Sequence, residues 1–360
     1  MMEIILIIVC VCIVDFLMQT LLFFKKYSFS PLHIETFDGS NQPYHPSVIY
    51  RKSGWNGFKY WMVLTPYPME KLPYKDRWEC PCIYCSNDGL SWNVPDGFCN
   101  PLDDLVDEEI SSKDFFSDPH LILRDTILEC WYRISHNYND ERDTYVLRKC
   151  SDNGYVWSER EILFNPKDRN SVEKLGDMVR SPAIIYAGMY RMWYVDNKKN
   201  KGNRNLCYTS SVDGKKWENR IICNLSGKQI NPWHIDVSLI DGLYYLLIYD
   251  LYDLTLWTSD NGIDFVFKQI LLRPSLKYGN FYSDGLYRSV LVKTEKDYRC
   301  YFSAFDDKKT YIGLMKGKSI TQMKVVSCSK QNYNFMQLCV IYLKNRKRDI
   351  SKLKSKLLKR

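Results

Sequence analysis

The sequence contains none of the short signatures that announce nucleotide, serine-hydrolase or metalloprotease chemistry. There is no Gly-x-x-x-x-Gly-Lys phosphate loop, no Gly-x-Ser-x-Gly elbow, no His-Glu-x-x-His pair and no dinucleotide fingerprint. Histidine is scarce, at five in 360 residues. The body shows no amphipathic helical pattern of roughly 10–15 residues, which argues against an α/β architecture. It also lacks net charge. Lys344 to Arg360 holds nine Lys or Arg and one Asp, which accounts for the whole net charge of +8. A neutral body with a basic tail argues against a nucleic-acid groove, which needs cations spread along a binding face, so no nucleic-acid partner is expected.

Thirteen cysteines are present, two of them (Cys10, Cys12) inside an apolar N-terminus. The remaining odd number is mostly scattered, unlike the framework of a small secreted disulfide protein. Cys80, Cys82, Cys85 and Cys99 form the one cluster, but no second pair or His follows at zinc spacing. Small apolar roles in a strand are the expectation for Cys82 and Cys85. Neither a metal nor a cofactor is expected. The acidic stretch Asp103 to Glu109 lacks the spacing of a calcium loop and reads as a solvated connection.

What the chain does have is aromatic residues, 15% of the total, which suit half-buried sheet surfaces. It also has an apolar run, Ile4 to Phe24, which as a helix would measure about 31 Å and reach across a bilayer core. The run opens Met1-Met2-Glu3, closes on Lys25-Lys26 and carries no Ala-x-Ala-like cleavage site, so a retained single-pass membrane anchor is expected. The side of the membrane on which the body lies stays open. Asp15 is the oddity of that run. Ile350, Leu353 and Leu357 give the basic tail a thin apolar stripe, so the tail either touches anionic lipid or stays solvated.

Between the two ends the chain repeats itself. Four segments share Ser-x-(Asp/Asn)-Gly-x-x-(Trp/Phe): Ser86 to Trp92, Ser151 to Trp157, Ser211 to Trp217 and Ser259 to Phe265. Asp-Gly and Asn-Gly supply the positive φ of a tight turn, and the Ser or Asp oxygen can bond back to its amides. Five times, a segment bearing His, Asp or Arg leads into a strand and then into an aromatic strand. The five openings are at His45, Asp118, Arg180, His234 and Asp284. Five units of roughly 55 residues predict an all-β, five-bladed β-propeller over 44–327. Around it lie an anchor at 1–26, a linker at 27–43 and a basic, partly helical tail at 328–360.

In a propeller the first strand of each blade lines the central channel, so the blade openings are expected to converge on one mouth. Three of the five histidines, His45, His120 and His234, fall there. The blade openings and turn repeats resemble the five-bladed propellers of glycoside hydrolases, such as arabinanases and fructosidases, over roughly residues 40–325. The resemblance implies three carboxylates on successive first strands, acting as base or nucleophile, supporting acid and proton donor. Asp118, before Pro119, matches the supporting Asp. The blade-one place holds His45 and the blade-three place holds Arg180-Ser181-Pro182, so two of the three acids are missing from the pattern.

The expected function is therefore a glycoside hydrolase-like, carbohydrate-active protein. Asp118, Asp236 and Asp284 are its candidate catalytic acids. His45, His120, Arg180, His234, Arg288, Trp233 and Tyr287 are the candidate substrate-binding residues. Arg180 and Arg288 suit an anionic sugar, while Trp233, Tyr287, Trp55 and Tyr44 are candidate stacking platforms. The alternative is a non-catalytic glycan-binding or scaffold propeller in surface-polysaccharide assembly.

Overall fold

The computed structural model describes residues 2–26, 28–70, 79–136, 143–197, 204–329 and 333–357. Five antiparallel sheets follow one another along the chain as the blades of a propeller. Blade one is β1 (Pro43–Trp55), β2 (Phe58–Pro66) and β3 (Cys82–Ser86). Blade two is β4 (Phe115–Arg124), β5 (Ile127–His136), β6 (Asp143–Ser151) and β7 (Glu161–Phe164), preceded by a short helix α2 (Asp107–Ser112). After α3 (Arg169–Leu175), blade three runs β8 (Arg180–Tyr186), β9 (Tyr190–Asn197), β10 (Arg204–Ser211) and β11 (Ile221–Ile222). Blade four gains a fifth strand because β12 (Asn224–Ser226) pairs in parallel with β16 (Asp264–Leu272). Its other strands are β13 (His234–Ile240), β14 (Leu243–Tyr249) and β15 (Leu254–Ser259). Blade five is β17 (Gly285–Lys293), β18 (Tyr298–Phe305), β19 (Thr310–Gly317) and β20 (Lys324–Val326).

The repeated turns do the work their chemistry predicts. In all four, the Ser hydroxyl accepts the Gly amide, at 2.9, 2.8, 2.9 and 2.9 Å for Gly89, Gly154, Gly214 and Gly262. The Asp or Asn Oδ1 accepts the next two amides, as Asp213 does from Lys215 and Lys216 at 2.8 Å each. Each turn also joins its blade to a neighbour. Gly154, at φ +80°, lies so close to the ring of Trp61 that a Cβ there would come within 2.3 Å of it. Trp193 Nε1 donates to the Gly262 carbonyl at 2.6 Å, and the Tyr301 hydroxyl donates to the Gly89 carbonyl at 3.0 Å. The last of these contacts closes the ring between blades five and one. Trp61, Trp131 and Trp193, on the second strands of blades one to three, are fully buried between sheets. That is the packing role to be expected of large rings at blade interfaces.

Residues 28–42, expected as a linker, are instead tied to the propeller. The Leu32 amide donates to the Ile312 carbonyl at 2.9 Å, the Tyr84 hydroxyl donates to the Glu35 carbonyl at 2.7 Å, and Leu32 and Ile34 are buried between blades five and one. Cys80, Cys82 and Cys85 are buried core residues, while Cys99 is exposed. The acidic stretch is not merely solvated, because Asp103 and Glu109 hold Arg160 at 2.7 and 2.6 Å.

The N-terminal run forms α1 (Met2–Lys26), whose Ile5–Lys25 segment is long and apolar enough to cross a membrane. The basic tail forms α4 (Phe335–Leu357), and the two helices meet. Asp15 is clasped by α4: the Tyr342 hydroxyl donates to it at 2.6 Å, and Arg346 grips both carboxylate oxygens. Further along α4, Arg348 pairs with Asp284 and Asp349 with Lys277, both at 3.2 Å. Several tail charges are therefore committed to contacts within the protein.

Candidate functional site

A backbone irregularity repeated in blades one to three builds the mouth of the channel. Each first strand carries a β-bulge at an X-Pro step: His45-Pro46, Asp118-Pro119 and Ser181-Pro182. The residue before each proline adopts a left-handed backbone, with φ of 51°, 50° and 50°. That conformation is uncommon outside glycine and runs against the extended preference of a pre-proline residue. Bulges of this kind re-aim side chains, and here hydrogen bonds from neighbouring blades hold them. The His45 amide donates to Ser303 Oγ of blade five at 2.9 Å. The Ser181 amide donates to Asp118 Oδ2 of blade two at 3.0 Å. Blade four begins without a bulge, and His234 simply opens β13.

These strand starts surround a cavity of about 180 Å³. His45, Asp118, Arg180, His234, Trp233 and Tyr287, all singled out from the sequence, line it. Arg133, Glu79 and Tyr67, which the sequence did not single out, line it as well. Asp118 is completely buried, and burial opposes its ionisation. Arg133 overcomes that cost, with Nε at 2.8 Å and Nη2 at 2.6 Å from Oδ2, and holds the carboxyl well below the ordinary range. Burial presses the pKa of His45 well below the usual imidazole value and that of His234 to about 4, so both rings are neutral near pH 7. His45 Nδ1 is held by Thr65 Oγ1 at 2.9 Å and lies 3.3 Å from Glu79 Oε2.

The remaining atoms of this trio are unsatisfied. His45 Nε2, Asp118 Oδ1 and both ring nitrogens of His234 are buried with no hydrogen-bond partner. His234 Nδ1 and Asp118 Oδ1 are 3.2 Å apart but are not aligned as donor and acceptor. One ligand-capable atom from each of the three residues lies within 4.8 Å of the others. Two neutral imidazoles and an ionised carboxylate this close together are a donor set that could hold a divalent metal ion. The carboxylate and hydroxyl on the far nitrogen of His45 are the support that a metal-ligating histidine needs. Among the described residues this is the one metal-capable group of three or more such side chains. The absence of metal expected from the sequence is thus at odds with the geometry.

The other blade-start residues form a second, deeper layer. His120 and Asp236 line a separate cavity of about 210 Å³. Asp236 lies two residues beyond His234 on the regular strand β13, on the same face but some 7 Å further along, and His120 follows Asp118 across the bulge of β4. His120 Nε2 donates to the Ile184 carbonyl at 2.9 Å, and burial lowers its pKa to about 3. Burial raises the Asp236 pKa to about 6. Arg288, 1% exposed, donates to the Pro182 carbonyl at 2.8 Å and lies 3.9 Å from Asp118 Oδ1. It fills the axis and is absent from the lining of the upper cavity. Asp284 points away altogether, to Arg348 of α4. The three predicted acids are therefore not brought together, and only Asp118 reaches the cavity. Trp55 packs on Trp61 at a blade edge, and Tyr44 stacks on Tyr287 with ring centroids 5.1 Å apart.

No protein-family model matches the chain. It is 24% identical over 257 residues to the A type blood N-acetyl-α-D-galactosamine deacetylase of Flavonifractor plautii, a match covering 60% of this chain. The chain spans 32% of that curated relative's length. Among solved structures it superposes on an N-acetylgalactosamine deacetylase from F. plautii in complex with blood group B trisaccharide. The TM-score is 0.66 at 19% identity, covering 81% of this chain and 95% of that one. A second superposition, on RS223 β-xylosidase, has a TM-score of 0.55 at 10% identity and covers 79% and 95%. The five-bladed propeller is thus the fold of proteins named as glycan-acting enzymes.

Proposed function

We propose that the chain is a carbohydrate-active hydrolase whose reaction centre is the cavity at His45, Asp118 and His234, with a divalent metal ion held by these three residues. The observation that carries the proposal is their convergence: buried atoms of the right types, without hydrogen-bond partners, belong to three residues whose ligand-capable atoms lie within 4.8 Å of one another. Such an ion supplies Lewis-acid polarisation of a carbonyl or a departing oxygen. Arg133 keeps Asp118 ionised, which makes it a ligand and disqualifies it as the proton donor of a glycosidase. Glu79 and Thr65 fix the His45 ring, and Tyr287, with ring centroids 5.1 Å from His45 and 4.1 Å from His234, walls the site.

This arrangement favours removal of an acyl substituent from an amino sugar over cleavage of the glycosidic bond. Glycosidic cleavage calls for two carboxyl groups flanking the bond, one of them able to give up a proton. In the upper cavity Asp118 is locked by Arg133, and Glu79 is engaged with His45. The deacetylase relative points the same way. The discriminating experiment is a product assay on N-acetylated glycans. Release of acetate with the glycan chain intact supports the reading; release of free sugar with acetyl groups retained refutes it. We further propose that α1 attaches the propeller to a membrane, with the Asp15–Arg346 clasp fixing it to α4. Release of the protein from membranes by alkaline carbonate without detergent would refute a membrane-embedded helix.

A further inference from the structure

Among the described residues, one cation that lines the cavity has no carboxylate paired with it. Arg180 opens β8 beside the metal-capable trio and is 9% exposed. Its Nη2 reaches only Met178 Sδ, at 3.4 Å, a weak acceptor, and its Nη1 is buried without any partner. Among the described residues no carboxylate lies within 4.0 Å of it. Asp118 is near enough to act on it through space, but that carboxylate is already occupied by Arg133. The guanidinium rests 4.4 Å from the centre of the Trp233 ring. A second guanidinium, that of Arg204, lies 4.2 Å from the same ring centre and also has a buried, unpartnered nitrogen, Nε.

A buried guanidinium without a paired carboxylate is costly. Burial, and then repulsion from Arg133, push the Arg180 pKa down to about 10, which leaves it charged at neutral pH. Trp233 is occupied by these cations, and its Nε1 donates to the Tyr287 hydroxyl at 3.0 Å. The ring therefore supports the cations more readily than it offers a stacking platform for a sugar. Of the charged side chains that line the cavity, Arg133 is taken up by Asp118 and Glu79 lies against His45, which leaves Arg180 with no lining carboxylate of its own.

We infer that Arg180, backed by Trp233 and Arg204, is a subsite for an oxyanion substituent on the sugar, so that this cavity takes an acidic glycan. The inference rests on the cavity being the glycan site and adds its substrate class. A carboxylate, sulfate or phosphate accepts two parallel bonds from a guanidinium and supplies the missing negative charge. Arg180 leads this subsite because it lines the cavity itself.

Calorimetric titration of the full-length protein tests the inference with four probes. These are N-acetylgalactosamine, its 6-sulfate, its 6-phosphate and methyl α-D-galacturonide. At least one acidic probe should bind about tenfold or more tightly than the neutral sugar, and the advantage should fall with added salt. The arm that binds identifies the oxyanion. Arg180→Gln should remove the advantage, and Arg180→Lys should keep part of it. Equal binding of neutral and acidic probes would overturn the inference, as would an advantage that survives Arg180→Gln. If Arg180→Gln does not fold, the wild-type comparison and its salt dependence decide. Acetate release from neutral glycans without acidic preference would leave the proposed hydrolase standing and remove only this subsite.

Discussion

Arg133 on β5 grips Asp118 on β4 through two nitrogens, at 2.8 and 2.6 Å from the same carboxylate oxygen, and leaves the other oxygen free to face His45 and His234. Under the proposed function the pair serves the fold and the reaction alike. Asp118→Ala strands a buried guanidinium and should cost about 3–5 kcal/mol. The double variant Asp118→Ala, Arg133→Met should recover much of that stability without recovering activity. Chemical denaturation and turnover, measured on both variants, check this. Recovery of activity in the double variant would mean that Asp118 serves only to hold Arg133.

Glu79 acts through His45. Glu79→Gln should leave the fold intact and weaken metal affinity by about 10–100-fold, the usual effect of losing a carboxylate behind a metal-bound histidine. Competitive metal titration against a chelating dye measures it. An unchanged affinity would remove Glu79 from the supporting set.

Asp284 offers the contrasting case. Its carboxylate faces Arg348 of α4, outside both cavities, so Asp284→Asn should leave turnover within about twofold of wild type, as expected of a surface substitution away from the site. A loss of two orders of magnitude would return it to the catalytic set and contradict the assignment to the upper layer.

Asp213 tests the turn chemistry. The amides of Lys216 and Lys215 hold its pKa down at about 2, below the ordinary value for an unfolded chain. Its contribution is therefore complete above about pH 4 and is lost as pH falls toward 2. Asp213→Asn should be nearly neutral at pH 7, since Asn153 and Asn261 fill the same role in other blades, and it should lose less stability on acidification. Asp213→Ala should cost about 1 kcal/mol at neutral pH. Thermal unfolding of the three proteins between pH 2 and 7 decides; identical acid limbs for wild type and Asp213→Asn would contradict the account.

The blades were legible because their turns are made by contacts within four residues, which a sequence displays directly. Ser211, Asp213 and Gly214 need no distant partner to form their loop. The strand openings were legible too, because His45, Asp118, Arg180 and His234 precede short apolar strands, each followed by an aromatic strand. What a sequence does not display is depth along the channel. His234 and Asp236 share a face of β13, so alternation alone puts both on the axis; only the assembled ring places one in the upper cavity and the other in the lower layer with His120. Glu79 was missed because it precedes β3 in a connection with no periodicity. Arg133 was missed because it follows Cys130-Trp131-Tyr132, a run that reads as core. The clasp between Asp15 and Arg346 joins residues 331 positions apart, and neither end announces the other.

Metal content measured together with activity is the most direct test of the central claim. Protein purified without added metal or chelator should contain close to one divalent transition-metal ion per chain by mass spectrometry. Dialysis against a chelator should abolish hydrolysis and re-addition should restore it, while His45→Ala and His234→Ala should each lose both the ion and the activity. A metal-free protein that hydrolyses its glycan at full rate, or a His45→Ala, His234→Ala double variant that retains activity, would contradict the account.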